Sequence, residues 1–331
     1  MCRNRWKKAV NFAEVKRRIT EFAMRTRDDL RDLRFWRGVL AEFTGSVFLI
    51  LVGCGSWTGR GDGPDTVRVA LAFGFMYAIL IYCLRRTSGA HLNPVVTIAT
   101  AVTCKISAAR AAIYVTSQTF GALFGASFLY AVTPEPFRGT LGCTTPQDGV
   151  SEGQGFGVEF FCTLILIFVT FACFEEHDQE EERRCPGHLI VGLAVASLSF
   201  YAVPLTGGSF NPARSFAPAI IRGIWTKHWI YWFGTVLGGI IGGTLYEVIF
   251  SRKATLSRLV TCLTTTRFGK QQESKPPGPA GPPPPDGVNV AQRRVLKSGD
   301  SAVMASVDSM PDIEDSSSSE EDNEKTSIKI A

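Results

Sequence analysis

The sequence predicts an all-α membrane protein with six transmembrane helices and two re-entrant half-helices, arranged as an inverted repeat. Two observations lead to this fold class. The chain contains six long apolar segments with very little charge, and the two halves of the chain present the same order of segments. Charged residues are concentrated at the two ends of the chain, outside these segments.

A basic arm, residues 1–37, precedes the first apolar segment. It contains 12 Lys and Arg residues against 5 Asp and Glu residues, and no apolar run typical of a cleavable signal peptide precedes Val39. Positive charge beside a span favours the cytoplasmic side, so we expect a cytoplasmic N-terminus and, after six spans, a cytoplasmic C-terminus. The arm fits either a helix on anionic lipid or a solvated charged segment, and its place beside a span argues against nucleic acid as the partner. Thr20 follows Arg17-Arg18-Ile19 and is a possible kinase site.

The six apolar segments approach the roughly 20 residues that a helix needs to cross a bilayer. Three of them contain a single glutamate, and the other three contain no charged residue. Core helices of a large soluble protein are the alternative, which so many nearly charge-free segments disfavour. The segments are Val39–Trp57, Val69–Leu84, Ala111–Val132, Gly155–Phe174, Leu189–Leu205 and Trp229–Phe250.

The two halves of the chain repeat one pattern. Glu42 begins EFTGSVFLILVG and Glu159 begins EFFCTLILIFVT, and an Asn-Pro pair follows 51 and 52 residues later, at Asn93 and Asn211. Each half therefore has two spans, an Asn-Pro segment and a third span. Since three is an odd number, the second half enters the membrane from the opposite side. Membrane proteins built from such inverted repeats place their pathway at the repeat interface, near the middle of the bilayer.

The Asn-Pro segments are too short to span the membrane. The mostly apolar residues 94–103 and 212–221 fit re-entrant half-helices. Asn is a good N-cap and Pro is favoured at the first helical position, so we expect Asn93 and Asn211 to cap these helices through their side-chain oxygens. Their amide groups would then be free to point into a lumen. The two positive dipole ends would face each other at the bilayer centre.

These features together resemble the aquaporin, or major intrinsic protein, family over about residues 38–250. The residues that support the resemblance are the motifs SGAHLNPVV and TGGSFNPARS, the paired glutamates and Arg214. The resemblance implies a homotetramer with a pore in each subunit, through which water passes in single file while ions and protons are excluded. Val95 departs from the alanine that is usual in the first motif. The motif residues are Asn93, Pro94, Val95, Asn211, Pro212 and Ala213.

The family's outer constriction corresponds, by position, to Phe73, Ser199, Gly208 and Arg214. The resemblance implies that the charge of Arg214 repels cations; the alternative is that its side chain snorkels to the lipid headgroups. Strict water channels of the family have His where this chain has Ser199, so we expect a wider gap that also passes small neutral solutes such as glycerol or urea. A strict water channel remains the alternative, because several other positions are of water-channel type. These positions are Thr133, Ser215, Ala219, Tyr231 and Trp232.

Three ionisable residues lie beside the Asn-Pro segments: Glu42, Glu159 and His91. A proton relay inside the membrane is one interpretation of such residues. The other, which we favour, is that they satisfy the polar backbone of the irregular loops that join the half-helices.

Residues 251–331, which follow the last apolar segment, differ from the rest of the chain in composition. A Pro-rich linker is followed by DIEDSSSSEEDNE, a composition typical of disorder, and its serines are possible kinase sites. These serines are Ser316, Ser317, Ser318 and Ser319.

Two rival functions would give these segments a role. The acidic loop 175–182 and this tail would be gates if the protein were an ion channel, and the tail would be the functional part of an adhesion or scaffold protein. We therefore expect a basic arm (1–37), a channel domain (38–250, with repeats at about 38–132 and 155–250) and a tail.

We expect no enzyme, cofactor or metal site, since the four histidines are not paired with a nucleophile or a metal-binding cluster. The partners that we expect are water, glycerol or urea, and the lipid bilayer of the plasma membrane. The sequence does not indicate a binding partner for the tail.

Overall fold

The computed structural model describes residues 30–59, 65–175 and 186–251, and every regular element within these ranges is helical. The possible kinase sites at Thr20 and Ser316–Ser319, most of the acidic loop and the tail lie outside the described residues. In chain order the helices are α1 (Leu33–Gly55), α2 (Thr66–Ser88), α3 (Pro94–Val102), α4 (Ala108–Val132), α5 (Glu135–Arg138), α6 (Glu152–Phe174), α7 (Gly187–Thr206), α8 (Pro212–Arg222) and α9 (Ile230–Leu245). A π-helical turn, Tyr246–Phe250, follows α9 directly.

Five helices are long and apolar enough to cross a membrane: α1, α2, α6, α7 and α9 with its π-helical turn. The sixth span is α4, which is 25 residues long. It is not one of these five apolar helices, and it contains the polar pair Ser117 and Gln118. Large apolar side chains such as Phe75, Phe120 and Phe161 are exposed on the outside of the helices, as expected for a surface that faces lipid. The predicted all-α membrane fold is confirmed.

Helix packing shows the inverted repeat. In the first half α1 packs against α2 and α4, and in the second half α6 packs in the same way against α7 and α9. The two halves meet where α2 packs against α7. Each half-helix crosses to the other repeat, since α3 packs against α9 and α8 packs against α4. The structure of each half therefore depends on contacts with the other.

Glycine allows the long helices to approach closely at equivalent places in the two repeats. A Cβ atom added at Gly121 of α4 would lie 2.4 Å from the carbonyl oxygen of Phe43 in α1. A Cβ atom added at Gly238 of α9 would lie 2.2 Å from the carbonyl oxygen of Phe160 in α6. Small residues at such crossings are typical of helices that pack within a membrane.

The second span of each repeat ends at a glycine in the left-handed conformation, Gly89 after α2 and Gly207 after α7. Glycine adopts this conformation without a steric penalty and is a common helix C-cap. The chain turns at these two residues and enters the Asn-Pro segments. The two half-helices therefore begin at corresponding places in the two repeats.

Candidate functional site

The two asparagines cap the half-helices. The Oδ1 atom of Asn93 accepts a 2.8 Å hydrogen bond from the backbone N–H of Val95, and Asn211 accepts from the N–H groups of Ala213 and Arg214. Pro94 and Pro212 begin helices of 9 and 11 residues. The expected capping is therefore present at both motifs.

The side-chain amide groups are less free than we expected. The Nδ2 atom of Asn93 donates to the carbonyl oxygen of Phe210 at 2.8 Å, and that of Asn211 donates to the carbonyl oxygen of Leu92 at 2.9 Å. Both carbonyl groups belong to residues with positive φ, 56° for Leu92 and 54° for Phe210. This uncommon conformation turns each carbonyl oxygen toward the asparagine of the other repeat. One N–H of each amide thus joins the two repeats and is not available to a solute.

A buried carboxylate supports the first irregular loop. Glu42 accepts hydrogen bonds from the backbone N–H groups of His91 and Leu92, at 2.9 and 2.7 Å, and from the hydroxyl of Ser88. Gln118 donates to the same carboxylate at 2.8 Å. The carboxylate therefore satisfies backbone donors at a place where the membrane supplies no water.

Glu159 supports the second loop in the same way. Its carboxylate accepts from the backbone N–H groups of Ser209 and Phe210, both at 3.0 Å, and from the Thr206 hydroxyl at 2.7 Å. These contacts agree with the structural interpretation of the paired glutamates.

The ring of His91 lies beside the first half-helix. Its Nδ1 atom is 3.0 Å from the hydroxyl oxygen of Thr97, and Gln118 donates to that hydroxyl at 2.9 Å. The aromatic ring of Tyr114 contacts the imidazole edge to face. His91 is therefore part of the network that holds the first loop.

Val95 fits a space that the opposite helix leaves for it. A Cβ atom added at Gly239 of α9 would lie 2.0 Å from Cγ1 of Val95. Val95 is fully buried, and the cap of Asn93 keeps its 2.8 Å hydrogen bond. The larger side chain in the first motif is thus compensated by a glycine in the last span.

The four residues of the expected constriction line one cavity: Phe73 from α2, Ser199 from α7, Gly208 from the loop before α8, and Arg214 from α8. Tyr77, Leu166, Val195, Ser209 and Phe210 complete its lining. Residues from both repeats therefore converge on the same space.

Arg214 is buried, with 1% of its surface exposed. Its Nη1 atom donates to the carbonyl oxygen of Gly142 and to the Cys54 sulfur, and its guanidinium carbon lies 4.8 Å from the centroid of the Phe73 ring. Its Nε and Nη2 atoms have no hydrogen-bond acceptor among the described residues. This burial is inconsistent with snorkelling along a lipid-facing surface and leaves a positive charge with spare donors inside the protein.

Sequence reasoning missed three contributors to this region. Gly142 and Cys54 hold Arg214, and Tyr77 lines the cavity between the constriction and the asparagines. Tyr77 follows Phe73 by one helical turn, so helical periodicity places both side chains on the same face. The contacts of Gly142 and Cys54 leave no comparable pattern in the sequence.

Comparisons with known proteins identify the family. The family described as Major intrinsic protein matches residues 29–246. The lens fiber major intrinsic protein of Lithobates pipiens is 39% identical over 241 residues, which are 72% of this chain and 91% of that protein. Aquaporin-4 of Mus musculus is 40% identical over 230 residues, which are 68% of this chain and 70% of that protein.

A comparison with solved structures supports the same fold. The X-ray structure of the aquaglyceroporin from Plasmodium falciparum superposes with a TM-score of 0.57 at 22% identity, covering 64% of this chain and 96% of that one. At this identity the likeness concerns the fold alone. The family match and the two relatives, together with the inverted repeat and the six spans, lead to one conclusion: the chain belongs to the major intrinsic protein family, and it is a multi-pass membrane channel and not an enzyme.

Proposed function

We propose that the protein conducts water and small neutral solutes such as glycerol or urea, and excludes ions and protons. The observation that supports this proposal is the cavity at which Phe73, Ser199, Gly208 and Arg214 meet. Its wall combines an aromatic face, a small hydroxyl and a guanidinium group. A passing solute thus meets apolar surface and hydrogen-bond donors at the same place.

Ser199 decides the width of this passage. Ser199 is buried. By the resemblance to the family, it corresponds to the position at which strict water channels have an imidazole ring. Gly208, which lines the same cavity, contributes no side chain to it. We infer that, without a ring at this position, the passage can widen enough for a polyol or urea.

Arg214 and the two half-helices provide charge selectivity. The unpaired Nε and Nη2 donors of Arg214 replace part of the hydration of a solute oxygen, while the fixed positive charge opposes cations. The N-terminal ends of α3 and α8 add two positive dipole ends at Asn93 and Asn211. A cation, including a proton, would meet positive potential at both places.

The proposal includes the setting of the channel. Residues 38–250 form the channel domain, and we place this domain in the plasma membrane as a homotetramer with a pore in each subunit. The basic arm and the tail, 251–331, both lie in the cytoplasm. The excess of Lys and Arg in residues 1–37 supports this orientation.

Expression in oocytes tests the proposal, with the surface amount of protein measured by biotinylation. Swelling in hypotonic medium and uptake of labelled glycerol should both exceed those of uninjected oocytes. Fast swelling without glycerol or urea uptake would contradict the wide constriction and leave a strict water channel. Currents that follow ionic gradients under voltage clamp would contradict ion exclusion and favour a gated ion channel. A surface-expressed protein that conducts neither solute nor ions would favour the adhesion or scaffold function.

A further inference from the structure

Tyr77 lies where the solute pathway reaches the two asparagines. It belongs to α2, one helical turn after Phe73, and it lines the same cavity as Ser199 and Arg214. Only 6% of its surface is exposed. The phenol ring is therefore inside the protein, on the central side of the constriction.

The hydroxyl of Tyr77 is hydrogen-bonded to the side chain of Asn211. Its oxygen accepts a 3.2 Å hydrogen bond from Nδ2 of Asn211. The other N–H of Asn211 is directed to the carbonyl oxygen of Leu92. Both N–H groups of Asn211 therefore have protein acceptors in this conformation.

We propose that Tyr77 determines which solutes pass the centre of the channel, because its hydroxyl accepts the Asn211 hydrogen bond that a solute oxygen would otherwise accept. This inference rests on the proposed function, since it assigns the rate-limiting passage within the same pore. A water molecule or a polyol hydroxyl must replace the phenol oxygen at Asn211 before it moves on. Tyr77 thus competes with the permeant solute for one donor.

The ring makes this second constriction sensitive to size. The backbone of α2 is held firmly, since a Cβ atom added at Gly74 would lie 2.7 Å from the carbonyl oxygen of Gly192 in α7. The required movement therefore falls on the side chain of Tyr77 and not on the helix. Water needs a small displacement of the ring, whereas glycerol needs a larger one. Glycerol that passes the constriction at Ser199 is then slowed at Tyr77, nearer the centre of the channel.

Substitution of Tyr77 tests this proposal in oocytes, with water and glycerol permeability expressed per surface copy. Tyr77→Val removes both the ring and the hydroxyl, and Tyr77→Phe removes the hydroxyl alone. Loss of one competing hydrogen bond should raise water permeability roughly fivefold in Tyr77→Val. Glycerol permeability should rise by a larger factor, because the ring is also gone. Tyr77→Phe should raise water permeability without a comparable rise for glycerol.

Tyr82→Val is the matched control, because Tyr82 is on the same helix and 71% exposed. It should leave both permeabilities unchanged. If Tyr77→Val does not reach the surface, Tyr77→Leu replaces it, since a larger apolar side chain preserves more of the packing. The inference would be overturned if the Tyr77 variant that reaches the surface has the same permeabilities as the wild type. It would also be overturned if Tyr82→Val raises the permeabilities as much as the Tyr77 variant does.

The outcomes separate this inference from the proposed function. A conducting wild-type protein with an unchanged Tyr77→Val variant would overturn the role of Tyr77 and leave the proposed function intact. A silent wild-type protein with a conducting Tyr77→Val variant would support the role of Tyr77 and contradict the proposed function. If both proteins are silent at the surface, both proposals are wrong.

Discussion

The side chain of Asn93 donates a 2.8 Å hydrogen bond to the backbone carbonyl of Phe210, 117 positions further along the chain. Asn211 makes the reciprocal bond to Leu92. The two repeats are therefore joined at the ends of their half-helices by a symmetric pair of bonds. The same residues cap α3 and α8, so the bonds between the repeats and the caps of the half-helices depend on the same two side chains.

Glu159→Gln should destabilise the protein by about 1–3 kcal/mol, the usual cost of leaving a buried donor without an acceptor. Glu159 accepts from the N–H groups of Ser209 and Phe210. The amide nitrogen of Gln cannot accept one of these bonds. The midpoint of thermal unfolding in detergent should fall, whereas the exposed Glu135→Gln variant should keep the wild-type midpoint. Equal midpoints for the two variants would contradict the supporting role of Glu159.

Gly239→Ala should destabilise the protein by about 1–3 kcal/mol, the usual cost of overpacking a core. The added Cβ would lie 2.0 Å from Cγ1 of Val95. Removing the opposing methyl groups with Val95→Ala should restore much of the loss. A double-mutant cycle of thermal unfolding measures this coupling. Additive effects of the two substitutions would show that the predicted contact is not formed.

Ser199→His should abolish glycerol uptake and leave water permeability largely unchanged, because an imidazole ring would take up space in the cavity that Ser199 and Gly208 line. Ser199→Ala is the matched control, since it removes the hydroxyl without adding bulk and should retain glycerol uptake. Both variants are compared by labelled glycerol uptake and hypotonic swelling. Glycerol uptake that persists in Ser199→His would refute the size argument for the constriction.

His228 should make the stability of the protein dependent on pH. It lies in the loop between α8 and α9, 8% exposed, against the rings of Trp225, Tyr231 and Trp232. Neither ring nitrogen has a hydrogen-bond partner among the described residues, and burial lowers the pKa of His228 below its ordinary value of 6.5. As the pH falls through 6.5 the unfolded chain binds a proton before the folded one does, so stability is lost toward acid.

The test compares the unfolding midpoint above and below pH 6.5 in the wild type and in His228→Phe. Phe retains an aromatic ring but cannot be protonated, so the acid-induced decrease should be smaller in this variant. His188→Phe, on α7, is the control and should preserve the full decrease. An identical pH dependence in His228→Phe and the wild type would exclude His228 as its source.

Much of the fold could be predicted from features that are local in the sequence. The length and low charge of the apolar segments indicate spans, and Asn-Pro before a short apolar run indicates a capped half-helix. The similar distances from Glu42 to Asn93 and from Glu159 to Asn211 reveal the repeat, and an odd number of spans in each half makes it inverted. These inferences need no knowledge of which side chains touch.

Other features depend on which residues meet across the two repeats, and the sequence pattern does not show this. The positive φ angles of Leu92 and Phe210 aim their carbonyl groups at the opposite asparagines, so amide groups that were expected to be free are partly engaged. Gly239 leaves space for the side chain of Val95, although the two residues are 144 positions apart in the sequence. Tyr77 is an ordinary apolar-helix residue in the sequence. Only the packing of α2 against the loop before α8 brings its hydroxyl to Asn211, at the centre of the channel.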